Sequence, residues 1–129
     1  MRVRPKSSRE HRENMLNGWY RQLLSDRLAE LVAKWEPQVG VRVADWGIRR
    51  MKTKWGSCND HARRICVNLE LAKKPLACLE FVLVHEMVHL LERHHNARFL
   101  EHMDRLMPLW RTSRAQLNQS PLSHERWEY

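Results

Sequence analysis

Leu16, Trp19, Leu23, Leu28, Leu31, Val32 and Trp35 recur at helical spacing. The pattern predicts one long amphipathic helix from about Glu13 to Glu36, closed by Pro37, with its aromatic residues in the core. The period then shortens. Val41 and Val43 alternate with polar residues, Ile48 to Trp55 is extended in character, Gly56-Ser57-Cys58-Asn59-Asp60 reads as a turn, and Ile65, Val67 and Leu69 alternate again. A small sheet of about three strands is expected there.

Pro75 suits the first turn of a second helix, which runs through Val82, His85, His89 and Leu90. Asn96 suits the N-cap of a third, whose apolar stripe is Phe99, Leu100, Met103, Leu106 and Met107 before Pro108. A short helix from Trp110 to Leu117 follows. The expected organisation is a flexible basic arm (1–12), a single α+β domain (13–118) and a polar tail (119–129) on which only Trp127 and Tyr129 could dock. The sheet is expected to pack against the second helix and its flanking helices.

At 129 residues the chain can bury about two thirds of its unfolded surface in one core. It has no apolar run of about 18 residues and no apolar stretch behind its basic start, so neither membrane insertion nor export is expected. Cys58, Cys66 and Cys78 are odd in number and show no C-x-x-C pairing, which fits reduced thiols in a cytoplasm. A site joining Cys58 or Cys66 to His61 matches no established spacing.

The net charge of +8 is unevenly placed. Arg2, Arg4, Lys6, Arg9 and Arg12 crowd the start, and Arg49, Arg50, Lys52, Lys54, Arg63 and Arg64 form a second group. Such patches attract nucleic acid, nucleotides or acidic substrates. The alternative is a solvated basic face, and no nucleic-acid fold signature accompanies the charge.

The chemistry concentrates in His85-Glu86-Met87-Val88-His89. On a helix, His85 and His89 share one face, and their imidazoles can converge on one ion roughly 2.0–2.1 Å from each nitrogen. Glu86, one step round, stays free to act as general base toward a water that the metal activates. The alternative is two solvated histidines. The motif interrupts an apolar segment from Leu79 to Leu91, where exposed histidines would be out of place.

A catalytic zinc has three protein ligands and an open position. Glu92 would keep to the same face if the helix continued. His94 or His95 would reach the metal if the chain turned back, although no glycine is present to make that turn, and Glu101 on the next helix is a further candidate. Spacing alone leaves these open. No oxyanion stabiliser stands out, with His61, His102 and several arginines equally available.

Four strings occur in the order of a known family: Met51-Lys52-Thr53-Lys54-Trp55-Gly56-Ser57-Cys58, Ile65-Cys66-Val67-Asn68-Leu69, Pro75 with Phe81 through His89, and His95-Asn96-Ala97-Arg98-Phe99. They resemble the YgjP-like metal-dependent hydrolases, relatives of the SprT-like metallopeptidases, over roughly residues 15 to 118. The resemblance implies a zincin-like fold, Zn²⁺ held by His85, His89 and His95, Glu86 as the base, and a peptide or protein substrate. His94, Asn96 and Leu100 depart from the family pattern without removing a ligand. Longer members carry a β-rich segment before the first helix, which implies that its role here is missing or supplied by a protein partner.

Trp55 and Gly56 are candidate substrate contacts, because an edge strand beside the metal helix would align an extended chain and a glycine permits close backbone approach. A packing Trp in a hairpin is the alternative. Asn68 suits a structural hydrogen bond to backbone. Two rival functions remain: a nucleotide phosphoanhydride hydrolase using Arg49 to Lys54 for phosphate, and a nucleic-acid-binding module with purely structural zinc.

Overall fold

A computed structural model describes residues 5–119. The expected tail beyond residue 119, with Trp127 and Tyr129, lies outside the described residues, as do residues 1–4. Four helices, α1 (Pro5–Val39), α2 (Leu76–Val88), α3 (Ala97–Leu106) and α4 (Trp110–Gln119), surround strands β1 (Asp45–Arg49), β2 (Gly56–Asn59) and β3 (Arg64–Asn68). The fold is α+β.

The first helix differs from expectation at both ends. It begins at Pro5 rather than Glu13, so residues 5–12 are helical and not an irregular arm. Pro is suited to the first helical position, and an Arg9–Glu13 pair at i,i+4 supports turns that carry no apolar stripe. At the other end Pro37 lies inside the helix, and Gly40 closes it. Gly40 adopts φ 82° and its N–H, like that of Val41, donates to the Glu36 carbonyl, a left-handed cap that a glycine makes without strain.

Fully buried apolar side chains begin on α1 only at Leu24, although Asn17, Tyr20 and Arg21 already reach the body through Arg50, the core edge and the Ile48 carbonyl. Leu24, Leu28, Leu31, Val32, Trp35 and Val39 are buried, whereas Met15, Leu16 and Trp19 are at least half exposed. Of the two aromatic residues expected in the core, Trp35 is buried and Trp19 is not. A helix of 35 residues runs about 50 Å, and a small domain is only about 30 Å across.

The strand order is β1-β3-β2, with β1 parallel and β2 antiparallel to β3. Val41 and Val43 precede the first strand and belong to none. The segment from Gly56 to Asn59, turn-like by composition, is an edge strand because the buried run Ile65 to Asn68 offers it a ladder. Pairing overrides weak local preference. The true turn is Asp60 to Arg63, where the Asn59 side chain accepts from Ala62 N and Arg63 adopts φ 52°.

α2 is the centre of the core. From Cys78 to Val88 every residue but Glu80 is buried, with α1 and α4 packed against it and β2 and β3 alongside. Such all-round burial is why the helix reads as continuously apolar. Asn68 caps a 3-10 turn (Leu69–Lys73) that leads into it, accepting from Glu70 N.

Candidate metal centre and cleft

α2 ends within the histidine motif. His89 is its C-cap but keeps helical dihedrals (φ −63°, ψ −17°), so it remains one turn above His85, with ring centroids 4.9 Å apart. The chain then tightens. Leu90 N donates to Met87 O, and Leu91 N and Glu92 N both donate to Val88 O. These short bonds reverse the direction without a glycine.

Two further bonds set the returning segment. The Glu92 carboxylate accepts from the Asn96 amide at 2.7 Å, and Asn96 Oδ1 accepts from Phe99 N at 3.0 Å, capping α3 as expected. His95 is thereby held with Nε2 2.8 Å from Nε2 of His89. His85, His89 and His95 each bring a ring nitrogen within 4.8 Å of the others. Glu92 is occupied with Asn96, while His94 and Glu101 are exposed; none of these three joins the cluster.

The surroundings suit neutral imidazoles. Nδ1 of His89 donates to the Glu92 carbonyl at 3.2 Å, which leaves the lone pair on Nε2. Burial holds the His89 pKa below its ordinary range. That of His95 is held down to about 4, by burial first and then by the neighbouring His89 and His85 rings. Phe99, 1% exposed, lies 5.1, 4.7 and 4.8 Å from the three imidazole centroids and forms an apolar floor beneath them. Three converging imidazoles fit a borderline-soft divalent ion such as zinc better than magnesium.

Glu86 is 4% exposed, and its Oε2 lies 2.6 Å from Nδ1 of His85. It faces a cleft of about 380 Å³ between α2 and the outer edge of β2, walled by Gly56, Ser57 and Cys58 on the strand side. Gly56 permits this proximity: a Cβ there would lie 2.6 Å from Val82 Cγ1 and 3.1 Å from Glu86 Cγ. Trp55, by contrast, is 3% exposed and does not line the cleft. It packs in the core with Lys74 over its ring, so its expected role as a substrate contact is corrected.

The sequence matches the family model of the YgjP-like metallopeptidase domain over residues 1–120. The chain belongs to the YgjP-like metallopeptidases. The fold of this YgjP-like domain is similar to that of the metallopeptidase zymogen of Pyrococcus abyssi abylysin, with a TM-score of 0.65 and 14% identity over 70% of this chain and 91% of that one. No curated protein sequence matches it. The domain is thus a metal-dependent peptidase in general class, and no helix among its described residues is long and apolar enough to cross a membrane.

Several cleft residues were not singled out from sequence. Asp60 and Arg93 form an ion pair at 3.6 Å across one end, joining a hairpin turn to the segment after α2, a pairing for which spacing offers no signal. Cys58 is on the wall, its thiol pushed up to about 12 by burial and then by Glu86 and Asp60. Of the stretch from Arg49 to Lys54, only Lys54 reaches the cleft, and neither His61 nor His102 does.

Proposed function

We propose that this YgjP-like domain is a zinc-dependent endopeptidase in which His85, His89 and His95 hold the ion and Glu86 is the general base. The observation that carries the reading is the convergence of three imidazoles beside a buried carboxylate at the floor of a cleft flanked by an edge strand. Zinc held there supplies Lewis acidity and lowers the pKa of water to about 7.

The protein's own contribution is positional. β2 has one unpaired edge, along which an extended polypeptide adds as a further strand, placing its backbone beside Glu86. Glu86 accepts a proton from the attacking water and delivers it to the departing amine. The buried apolar side chains of Val82 and Phe99 behind the cleft lining lower the local dielectric and strengthen the electrostatic terms within the site.

A structural-zinc role would require a fourth protein ligand. The engagement of Glu92 with Asn96, and a cluster among the described residues that leaves His94 out, favour an open position instead. Glu86→Gln is expected to retain zinc while hydrolysis of an unfolded protein substrate falls by at least about a hundredfold. Wild-type turnover in that variant would refute the mechanism. Chelator-sensitive hydrolysis of nucleoside triphosphates without peptide cleavage would favour the phosphoanhydride alternative.

A further inference from the structure

The cleft is electrostatically uneven along its length. At the end where β2 enters its hairpin turn, Arg93 and Asp60 offset one another. At the opposite end stands Lys54, which lines the cleft and belongs to the segment containing Arg49, Arg50 and Lys52. That segment is pinned from below. The buried Asn68 amide donates to the carbonyls of both Met51 and Lys54 at 2.8 Å.

α1 adds a cation from a distant part of the sequence. Arg21 Nη1 donates to the Ile48 carbonyl at 2.6 Å, which brings its guanidinium to the end of β1 that leads into Arg49. Arg50 is paired with Glu70 at 3.8 Å. Arg21, Arg49, Lys52 and Lys54 are exposed and have no carboxylate partner among the described residues. Of these, Lys54 is the cation at this mouth of the cleft itself, and Lys52, Arg49 and Arg21 continue the positive charge toward β1 at the same end of the sheet.

We propose that this mouth selects polypeptides with a run of aspartate or glutamate, so that the domain cuts beside an acidic stretch. The proposal rests on the peptidase reading above. A chain extended along β2 leaves the cleft over Lys54, and its next few positions, at about 3.3 Å per residue, continue past the end of the sheet that carries Lys52, Arg49 and Arg21. Continuity between cleft and patch through Lys54 argues for one occupant of both, the substrate, over a separately bound nucleic acid.

Binding to the zinc-loaded Glu86→Gln protein, read by fluorescence anisotropy, separates recognition from turnover. A labelled unstructured peptide ending in a run of glutamates is expected to bind about tenfold more tightly than its glutamine counterpart at low salt. The advantage should vanish near 1 M salt, where the screening length falls to about 3 Å. Combined Arg49→Glu, Lys52→Glu and Lys54→Glu substitution, with folding checked by circular dichroism, should turn the preference toward a lysine-run peptide. Wild-type protein should then cleave the glutamate peptide beside its run.

Equal binding of the two peptides, or a preference that survives charge reversal, overturns the acidic selectivity even if both peptides are cut, and leaves the peptidase reading intact. Selective, reversible preference without cleavage by wild-type protein upholds the acidic surface and removes the peptidase reading. Tighter binding of an oligothymidylate of equal charge than of the glutamate peptide overturns the proposal in favour of a nucleic-acid surface.

Discussion

Nε2 of His95 faces Nε2 of His89 at 2.8 Å, although His89 caps α2 and His95 lies six residues on, in the loop before α3. The contact depends on the reversal fixed by the Glu92–Asn96 bond, and it brings His95 into the cluster while its equally exposed neighbour His94 stays outside. Elemental analysis should accordingly find stoichiometric zinc in His94→Ala and its loss in His95→Ala. Retention in the second variant would remove His95 from the ligand set.

Phe99 touches all three rings, so its effect on metal binding should exceed its effect on folding. Phe99→Leu keeps an apolar side chain and is expected to cost about 1 kcal/mol of stability, read by denaturant unfolding of metal-free protein. Its zinc affinity, measured against a competing chelator, should fall at least about tenfold as the imidazoles lose their common floor. Unchanged affinity would reduce Phe99 to ordinary core packing.

Gly56 sets the distance between strand and metal helix. In Gly56→Ala the new Cβ meets Val82 and the Glu86 stem, so β2 must retreat or Glu86 must turn. A loss of about 1–3 kcal/mol is expected, with kcat falling more than KM rises. Wild-type kinetics in this variant would show that the close approach has no part in catalysis.

Cys58 should be inert as a nucleophile despite lining the cleft. An ordinary thiol ionises near 9.0 and this one near 12, so the native thiolate stays scarce where the unfolded chain's is abundant. Iodoacetamide labelling followed by mass spectrometry should be slow up to about pH 10 in native protein and fast once it is unfolded. The same shift has a consequence for stability. Between 9.0 and about 12 the unfolded chain releases a proton that the native one keeps, so the contribution of Cys58 is present below that window and is lost as pH rises through it.

Much of the site was legible because its chemistry is local. His85, Glu86 and His89 are within one helical turn, and the Asn96 cap follows from its own side chain. The third histidine was not fixed by spacing, because the reversal rests on 3-10 bonds and a Glu92–Asn96 link rather than on a glycine. It was reached through resemblance. β2 reads as a turn from its own residues because Gly56, Ser57 and Asn59 have weak strand preference, and only the partner strand β3 overrides it. Asp60 and Arg93 were invisible, since an ion pair between two loops leaves no periodic trace.

From Arg9 to Trp19 α1 buries no side chain fully and reaches the body through the Asn17–Arg50 bond, while its later turns share the central core. One uninterrupted helix thus carries two very different resistances to opening. Amide protons near Met15 and Trp19 should exchange through local fraying, at little cost and without disturbing the cleft, whereas those near Leu28 and Trp35 should exchange only when the whole domain unfolds. The helix is a graded element, and a partner or protease that engages its exposed end meets a segment the hydrolytic centre can spare.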